Sequence, residues 1–296
     1  LLSSNYLDSM RAPFDAPRVA SIKKLPMNSS TRVKFDRPPV VEVACSALFS
    51  TAKPLRGIHI GLYAQRIQSD FPQIEEVPPL VPVVEFQEPG TGGAQLTYAV
   101  GPLPPLRRTW FITDDGRNLI QVQEDRFIFN WKKAADDDRY PSYDEVIERF
   151  DRHLAGFIEF VTEQDLGPLS YRQFELIYVN QIPLGPPEVE ISESRLLVDH
   201  VRDTTRPRFL GEPVGVNWVS IYELPNHEGR LYMTAQSARA PDGRRILRLD
   251  LTARGVPADT VDRGRAWFDQ AHTWITRGFA DLTAEDIQQR VWRRTA

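Results

Sequence analysis

The sequence has a single cysteine, Cys45, in 296 residues. That excludes an intrachain disulfide framework and a cysteine-based zinc site, and it makes a reducing, cytoplasmic compartment the expectation. Long apolar runs are also missing, and none approaches the ~20 residues that a membrane-spanning helix needs. There is no excess charge of one sign, since 36 basic residues face 40 acidic ones for a net charge of −4. No global field would draw the chain to phosphate backbones or anionic lipid, which argues against nucleic acid and membrane as partners. The histidines His59, His153, His200, His227 and His272 include no HxxxH, HxH or HExxH spacing, so no single element offers two imidazoles to one metal. A GxSxG elbow is absent. The GTGG at 90–93 has neither a following lysine nor a helix, so it reads as a hairpin loop and not as a phosphate cradle. The first residues lack the apolar core of a signal peptide, and residues 1–34 are read as a flexible extension.

What is present is a full core and strong alternation. Hydrophobic residues make up 41% and aromatic residues 10% of the chain, enough for one large domain or two fused units. After Pro38-Pro39 the stretch VVEVACSALFS puts Val41, Val43, Cys45, Ala47 and Phe49 on one face of a strand, and Val40, Glu42, Ala44, Ser46 and Leu48 on the other. Helical spacing over 55–71 ends at Pro72. VPPLVPVVEF then reads as a proline-entered strand, AQLTYAVG and RRTWFIT as two more, and Asp115-Gly116 as a hairpin turn. Ser142 and Glu145 form a capping box before a long helix with Val146, Phe150, Leu154, Phe157 and Val161 on one stripe; Gly167-Pro168 ends it. The same order then returns. A strand at YRQFELIYVNQI is followed by a short helix opened by Ser192, a strand at VGVNWVSIYE and a hairpin around Asp242-Gly243. A long helix aligning Trp267, Ala271, Trp274, Ile275 and Phe279 precedes a last helix capped by Thr283.

Strand, helix, antiparallel hairpins and long helix thus occur twice, over residues 35–167 and 168–296, which predicts an internal duplication. Helices with one apolar stripe each need one sheet face to cover. The expected class is α+β, a continuous antiparallel sheet with the long helices on one face. The tandem order resembles the saddle of TATA-binding-protein-like folds, with a helix-grip fold as the alternative. RPPVVEVACSALF, FPQIEEVPPLVPVVE, NLIQVQEDRFIFNWKK, FELIYVNQI and HTWITRGFADLT together resemble a sporadically distributed prokaryotic family of uncharacterised proteins, from about Phe35 to Trp292. The resemblance implies one conserved unit and supplies no activity.

The hairpin NLIQVQEDRFIFNW carries an unusual load of amides. With a two-residue turn at Glu124-Asp125, Val122 faces Phe127, Ile120 faces Phe129 and Asn118 faces Trp131. Leu119, Gln121 and Gln123 then share the opposite face with Arg126, Ile128 and Asn130. Such a face is either simply wet or receives a protein, peptide or small ligand through directed hydrogen bonds. Glu42 and Glu175 hold matching places in the first strand of each half, and pairing of the halves about a pseudo-twofold axis would bring their carboxylates together. The first reading is a non-catalytic binding protein whose ligand or partner site comprises Glu42, Gln121, Gln123, Asn130 and Glu175. One alternative is an acid-base enzyme using Glu42 and Glu175. The other is a nucleic-acid saddle with Phe127, Phe129 and Trp131 stacking bases, although this register turns those rings toward the helices. Cys45 and Tyr178 read as core, Asn180 as a strand-end or turn group, and Asp136, Asp137 and Asp138 as a solvated loop. No cofactor is expected. Purified, dialysed protein should carry no stoichiometric metal, and about one zinc or iron per chain by elemental analysis would contradict this.

Overall fold

Two long alternating segments make the centre of the protein. Val40–Ser50 forms strand β1 and Ser170–Pro183 forms β6, and they pair antiparallel with Ala44 opposite Ile177. The structure, a computed structural model, describes residues 33–81, 83, 85, 106–185, 196–197, 209, 214–240, 242–255 and 261–296. The remaining strands are β2 (Gln73–Val77), β3 (Arg108–Ile112), β4 (Asn118–Gln123), β5 (Arg126–Lys132), β7 (Asn217–Glu223), β8 (Gly229–Arg239) and β9 (Arg245–Gly255). All nine join one antiparallel sheet in the order β2-β3-β4-β5-β1-β6-β9-β8-β7. The β4–β5 register is the one the two-residue turn predicts, with Val122 opposite Phe127 and Asn118 opposite Trp131.

Helices α1 (Gly57–Ile67), α2 (Tyr143–Glu163), α3 (Val261–Leu282) and α4 (Glu285–Arg290) complete the α+β architecture. Ser142 caps α2, its Oγ accepting from Glu145 N at 3.1 Å. The apolar stripes of α2 and α3 meet the same sheet face. Phe157 packs on Phe49 and Phe127 at ring distances of 5.8 and 5.1 Å, and Phe268 packs on Phe174 at 5.4 Å. The helices touch each other through Phe150 and Phe268 at 5.1 Å. Each such ring removed from water contributes roughly 1.5–3 kcal/mol, so this face carries most of the hydrophobic stabilisation. No helix among the described residues is long and apolar enough to cross a membrane.

The structure departs from expectation at four places. The strand after α1 is QIEEV, not VPPLVPVVEF; Pro78 and Pro79 have no N–H to give the β3 ladder, so pairing ends at Val77 opposite Arg108. Thr283 does not cap α4. Its Oγ1 donates to Phe279 O at 2.7 Å, finishing α3, and α4 begins after Ala284 without a side-chain cap. Lys34, assigned to the extension, is tied to the C-terminus, its carbonyl accepting from Thr295 N at 2.9 Å. Asn180 lies inside β6, buried, and not at a strand end. Residues 1–32, the GTGG turn, the strand at AQLTYAVG and the helix opened by Ser192 lie outside the described residues.

At the end of β9 the Trp267 indole rests against Gly255, and its Nε1 donates to Glu228 O at 3.0 Å. A Cβ at Gly255 would lie 1.8 Å from that nitrogen, so α3 could not keep its seat. Gly255→Ala should cost about 1–3 kcal/mol, read as a lower urea midpoint. An unchanged midpoint would contradict this packing.

Candidate functional site

The helix-free face carries the polar positions of the strands, and two hydrogen-bonded groups organise them. The first runs across β3, β4, β5 and β1. Gln121 Oε1 accepts from Arg108 Nη1 at 2.9 Å and from Trp110 Nε1 at 3.0 Å, while Gln121 Nε2 donates to Asn130 Oδ1 at 2.7 Å. Asn130 Nδ2 in turn donates to Glu42 Oε1 at 2.6 Å. A carboxamide accepts at one end and donates at the other, which neither lysine nor ionised glutamate can do; a relay of this kind therefore needs amides at both middle positions. Trp110 adjoins the relay with the Arg108 guanidinium 5.5 Å and the Lys132 ammonium 5.6 Å from its ring centroid.

The second group holds the segment that leaves β2. Past Val77 the chain crosses the strands of this face as a strap, meeting β4 at Leu80, β6 at Val83 and Glu85, and β8 at Glu85. Gln123 Oε1 accepts from Leu80 N at 2.8 Å and its Nε2 donates to Leu80 O at 3.0 Å. Gln173 repeats the arrangement, accepting from Glu85 N at 2.8 Å and donating to Val83 O at 2.8 Å. Each side chain thus offers the strap the donor and acceptor that a neighbouring strand's backbone would offer. Glu85 is the strap's charged anchor: Tyr232 Oη donates to its Oε1 at 2.5 Å and Arg230 Nη1 to its Oε2 at 3.0 Å. Burial, reinforced by that carboxylate, raises the Tyr232 phenol above its ordinary pKa. Behind the anchor, Arg254 lies 5.0 Å over the Tyr232 ring and its Nε donates to Glu175 Oε1 at 2.9 Å, where Gln173 Nε2 also donates at 3.0 Å. Among the strap's described residues Leu80, Val81 and Val83 are 36%, 42% and 38% exposed. Its backbone and Glu85 hold it, with little burial of its apolar groups.

This geometry corrects the picture of an open amide surface. Gln121, Gln123, Asn130 and Glu175 are 6%, 6%, 2% and 6% exposed, and only Glu42 among the five is half-buried. Gln121, Asn130 and Glu42 share the first group, whereas Gln123 and Glu175 belong with the strap. The two carboxylates do not approach each other. Glu42 lies opposite Val179 and Glu175 opposite Ser46, four positions apart along the paired strands, or ~13 Å at ~3.3 Å per residue. Ala44 and Ile177 pair midway between them, so Glu42 and Glu175 fall on opposite sides of that pair.

Sequence reasoning did not single out Gln173, Glu85, Tyr232 or Arg254. Gln173 shares the face of Glu175 by alternation, which was the available signal, but Glu85 reaches the site only because the prolines carry it there. Phe127, Phe129 and Trp131 are buried on the helix side and cannot meet bases. Cys45 is fully buried, and desolvation pushes its thiol far above the ordinary range, so it is no nucleophile. Asp138 accepts from Ala134 N at 2.9 Å, Ala135 N at 2.8 Å and Arg117 Nε at 2.8 Å, and these bonds, led by that of Arg117, hold its carboxyl down at about 2. It fastens the loop before α2. Among the described residues no three His, Cys, Asp or Glu side chains converge as a metal site. No family model, curated protein or solved structure matches the chain.

Asn130→Ala would strand the Gln121 amide donor and remove a bond from Glu42. The expected loss is about 1–3 kcal/mol of stability, measured by denaturant unfolding. An unchanged unfolding curve would mean that the relay is not formed.

Proposed function

We propose that this chain is a non-catalytic binding protein whose helix-free sheet face holds an extended polypeptide by hydrogen-bonding its backbone. Glu42, Gln121, Gln123, Asn130 and Glu175 belong to that surface, together with Gln173, Tyr232 and Arg230. One observation carries the reading: Gln123 and Gln173 each bond both to an N–H and to a C=O of the strap, so they read main chain irrespective of side chain. Peptide-binding domains that add a strand to a sheet edge use the same chemistry, with backbone bonds for affinity and a few pockets for specificity. The strap is then a resident guest that shows what a partner segment needs. That is an extended chain tolerant of proline, with a carboxylate placed for Arg230 and Tyr232. Glu42 and Glu175 are engaged separately, and no geometry favours the acid-base alternative.

The reading takes the protein to be cytoplasmic, which a lone buried thiol supports, and to belong with the prokaryotic family that its segments resemble. It also takes residues 35–167 and 168–296 as duplicated units. The strand order supports this, running outward from the centre as β1-β5-β4-β3 and β6-β9-β8-β7. Laying β1 on β6 should bring α2 onto α3; a different helix placement removes the duplication.

Glu85→Gln weakens the strap's anchor, so a labelled peptide of residues 77–86 added in trans should bind this variant more tightly than the wild type. Adding Gln123→Ala and Gln173→Ala removes four bonds worth roughly 0.5–1.5 kcal/mol each and should weaken capture at least ~10-fold. A peptide that ignores the Glu85→Gln protein, or binds it equally without the two glutamines, overturns the proposal.

A further inference from the structure

The opposite side of the sheet holds a cavity that the strap does not reach. Its volume is about 330 Å³, at the lower end of the range for small-molecule sites. It lies between the helix-side face of the central strands, the start of α2 and the middle of α3, with Leu251, Ile275 and Phe279 among its apolar walls. Polar groups line it too, among them half-buried Tyr140 and buried Tyr178 and Asn180. The Tyr140 and Tyr178 hydroxyls are 2.8 Å apart. Such a pair consumes one of its two O–H hydrogens internally, and the other has no acceptor among the described residues. Asn180, 2% exposed, donates through Nδ2 to Leu249 O at 2.9 Å, while its Oδ1 accepts nothing among the described residues. One wall therefore presents a donor and an acceptor that a molecule in the cavity could pair with.

We infer that this cavity is a binding site for a small neutral molecule with an amide-like edge, its carbonyl taking the tyrosine O–H and its N–H meeting Asn180 Oδ1. Burial raises both phenols far above their ordinary value, so the donor proton is retained through the working pH range. Charge decides against an anion. Asp36 and Asp144 also line the cavity against one Lys34, and Asp144 and Glu145 already occupy the first turn of α2. An ammonium could donate to Asn180 Oδ1 but would leave the spare tyrosine O–H without an acceptor, whereas a neutral amide edge satisfies both groups. The flat Tyr143 ring, stacked on His272 at 4.0 Å and 4° between planes, adds a planar wall suited to an aromatic or conjugated amide.

Benzamide, benzoate and benzylamine differ in this edge and little in size. Titrated against the full chain by calorimetry and saturation-transfer NMR, benzamide should bind, with benzoate and benzylamine at least ~10-fold weaker. Tyr140→Phe with Tyr178→Phe removes both hydroxyls at once, so neither phenol is left without its partner and folding should be preserved, yet benzamide should bind about tenfold more weakly. Thr276→Phe fills the cavity from α3, leaves the polar wall intact, and should abolish binding. Failure of benzamide to bind the wild type up to about 10 mM overturns the inference. So does binding that survives Thr276→Phe, binding indifferent to the double tyrosine variant, or benzoate bound as well as benzamide.

Discussion

Nine strands in one sheet leave two broad faces to take out of water, and two long helices cover only one of them. On the helix side the solution is apolar: the rings of α2 and α3 fill the space above β1, β5, β6 and β9. Among the described residues the other side has no helix. There the sheet is closed by side chains that bond to one another and by a strap that the prolines prevent from joining the ladder. A buried polar layer is stable only when nearly every member is paired, because an orphan costs more than a bond gains. Gln121, Gln123, Gln173 and Asn130 meet that demand by using both ends of their carboxamides. Replacing any of them by an isosteric acid would supply a second acceptor where a donor is needed.

The same constraint sets how much of the molecule was legible. Alternation in VVEVACSALFS, the Ser142 capping box and the stripes of α2 and α3 are local signals, and they predict elements, class and faces correctly. The amide-bearing face of the Gln121–Asn130 hairpin follows from a two-residue turn and period-2 geometry. The strap is not legible locally, because VPPLVPVVEF has the hydrophobicity of a strand. Only the absence of N–H groups at Pro78 and Pro79, weighed against the pairing needs of β3, tells that QIEEV takes the strand's place. The separation of Glu42 from Glu175 depends on the β1–β6 register, and nothing local in either strand fixes that register. Glu85, Arg230 and Tyr232 converge from distant segments, so no spacing in the sequence announces them.

The two sides of the sheet therefore invite different chemistry. The polar side presents amides aimed at a polypeptide backbone and a cationic corner aimed at a carboxylate. The apolar side holds a small cavity whose polar lining includes a tyrosine pair and one asparagine. Among the described residues Cys45 is buried, and Glu42, Glu85 and Glu175 are each engaged in hydrogen bonds. The outward edge of the polar side is the strap itself, which exposes Leu80, Val81 and Val83 while its backbone is held from below.

Native-state hydrogen exchange at the Leu80 and Glu85 amides tests the central claim most directly. Both amides donate to glutamine Oε1 atoms, so both should be protected in the wild-type chain. Leu80 should lose protection in Gln123→Ala and Glu85 in Gln173→Ala, while the β1–β6 ladder exchanges as before. Fast exchange at both amides in the wild type, or protection indifferent to the glutamines, would show that these side chains do not hold the strap.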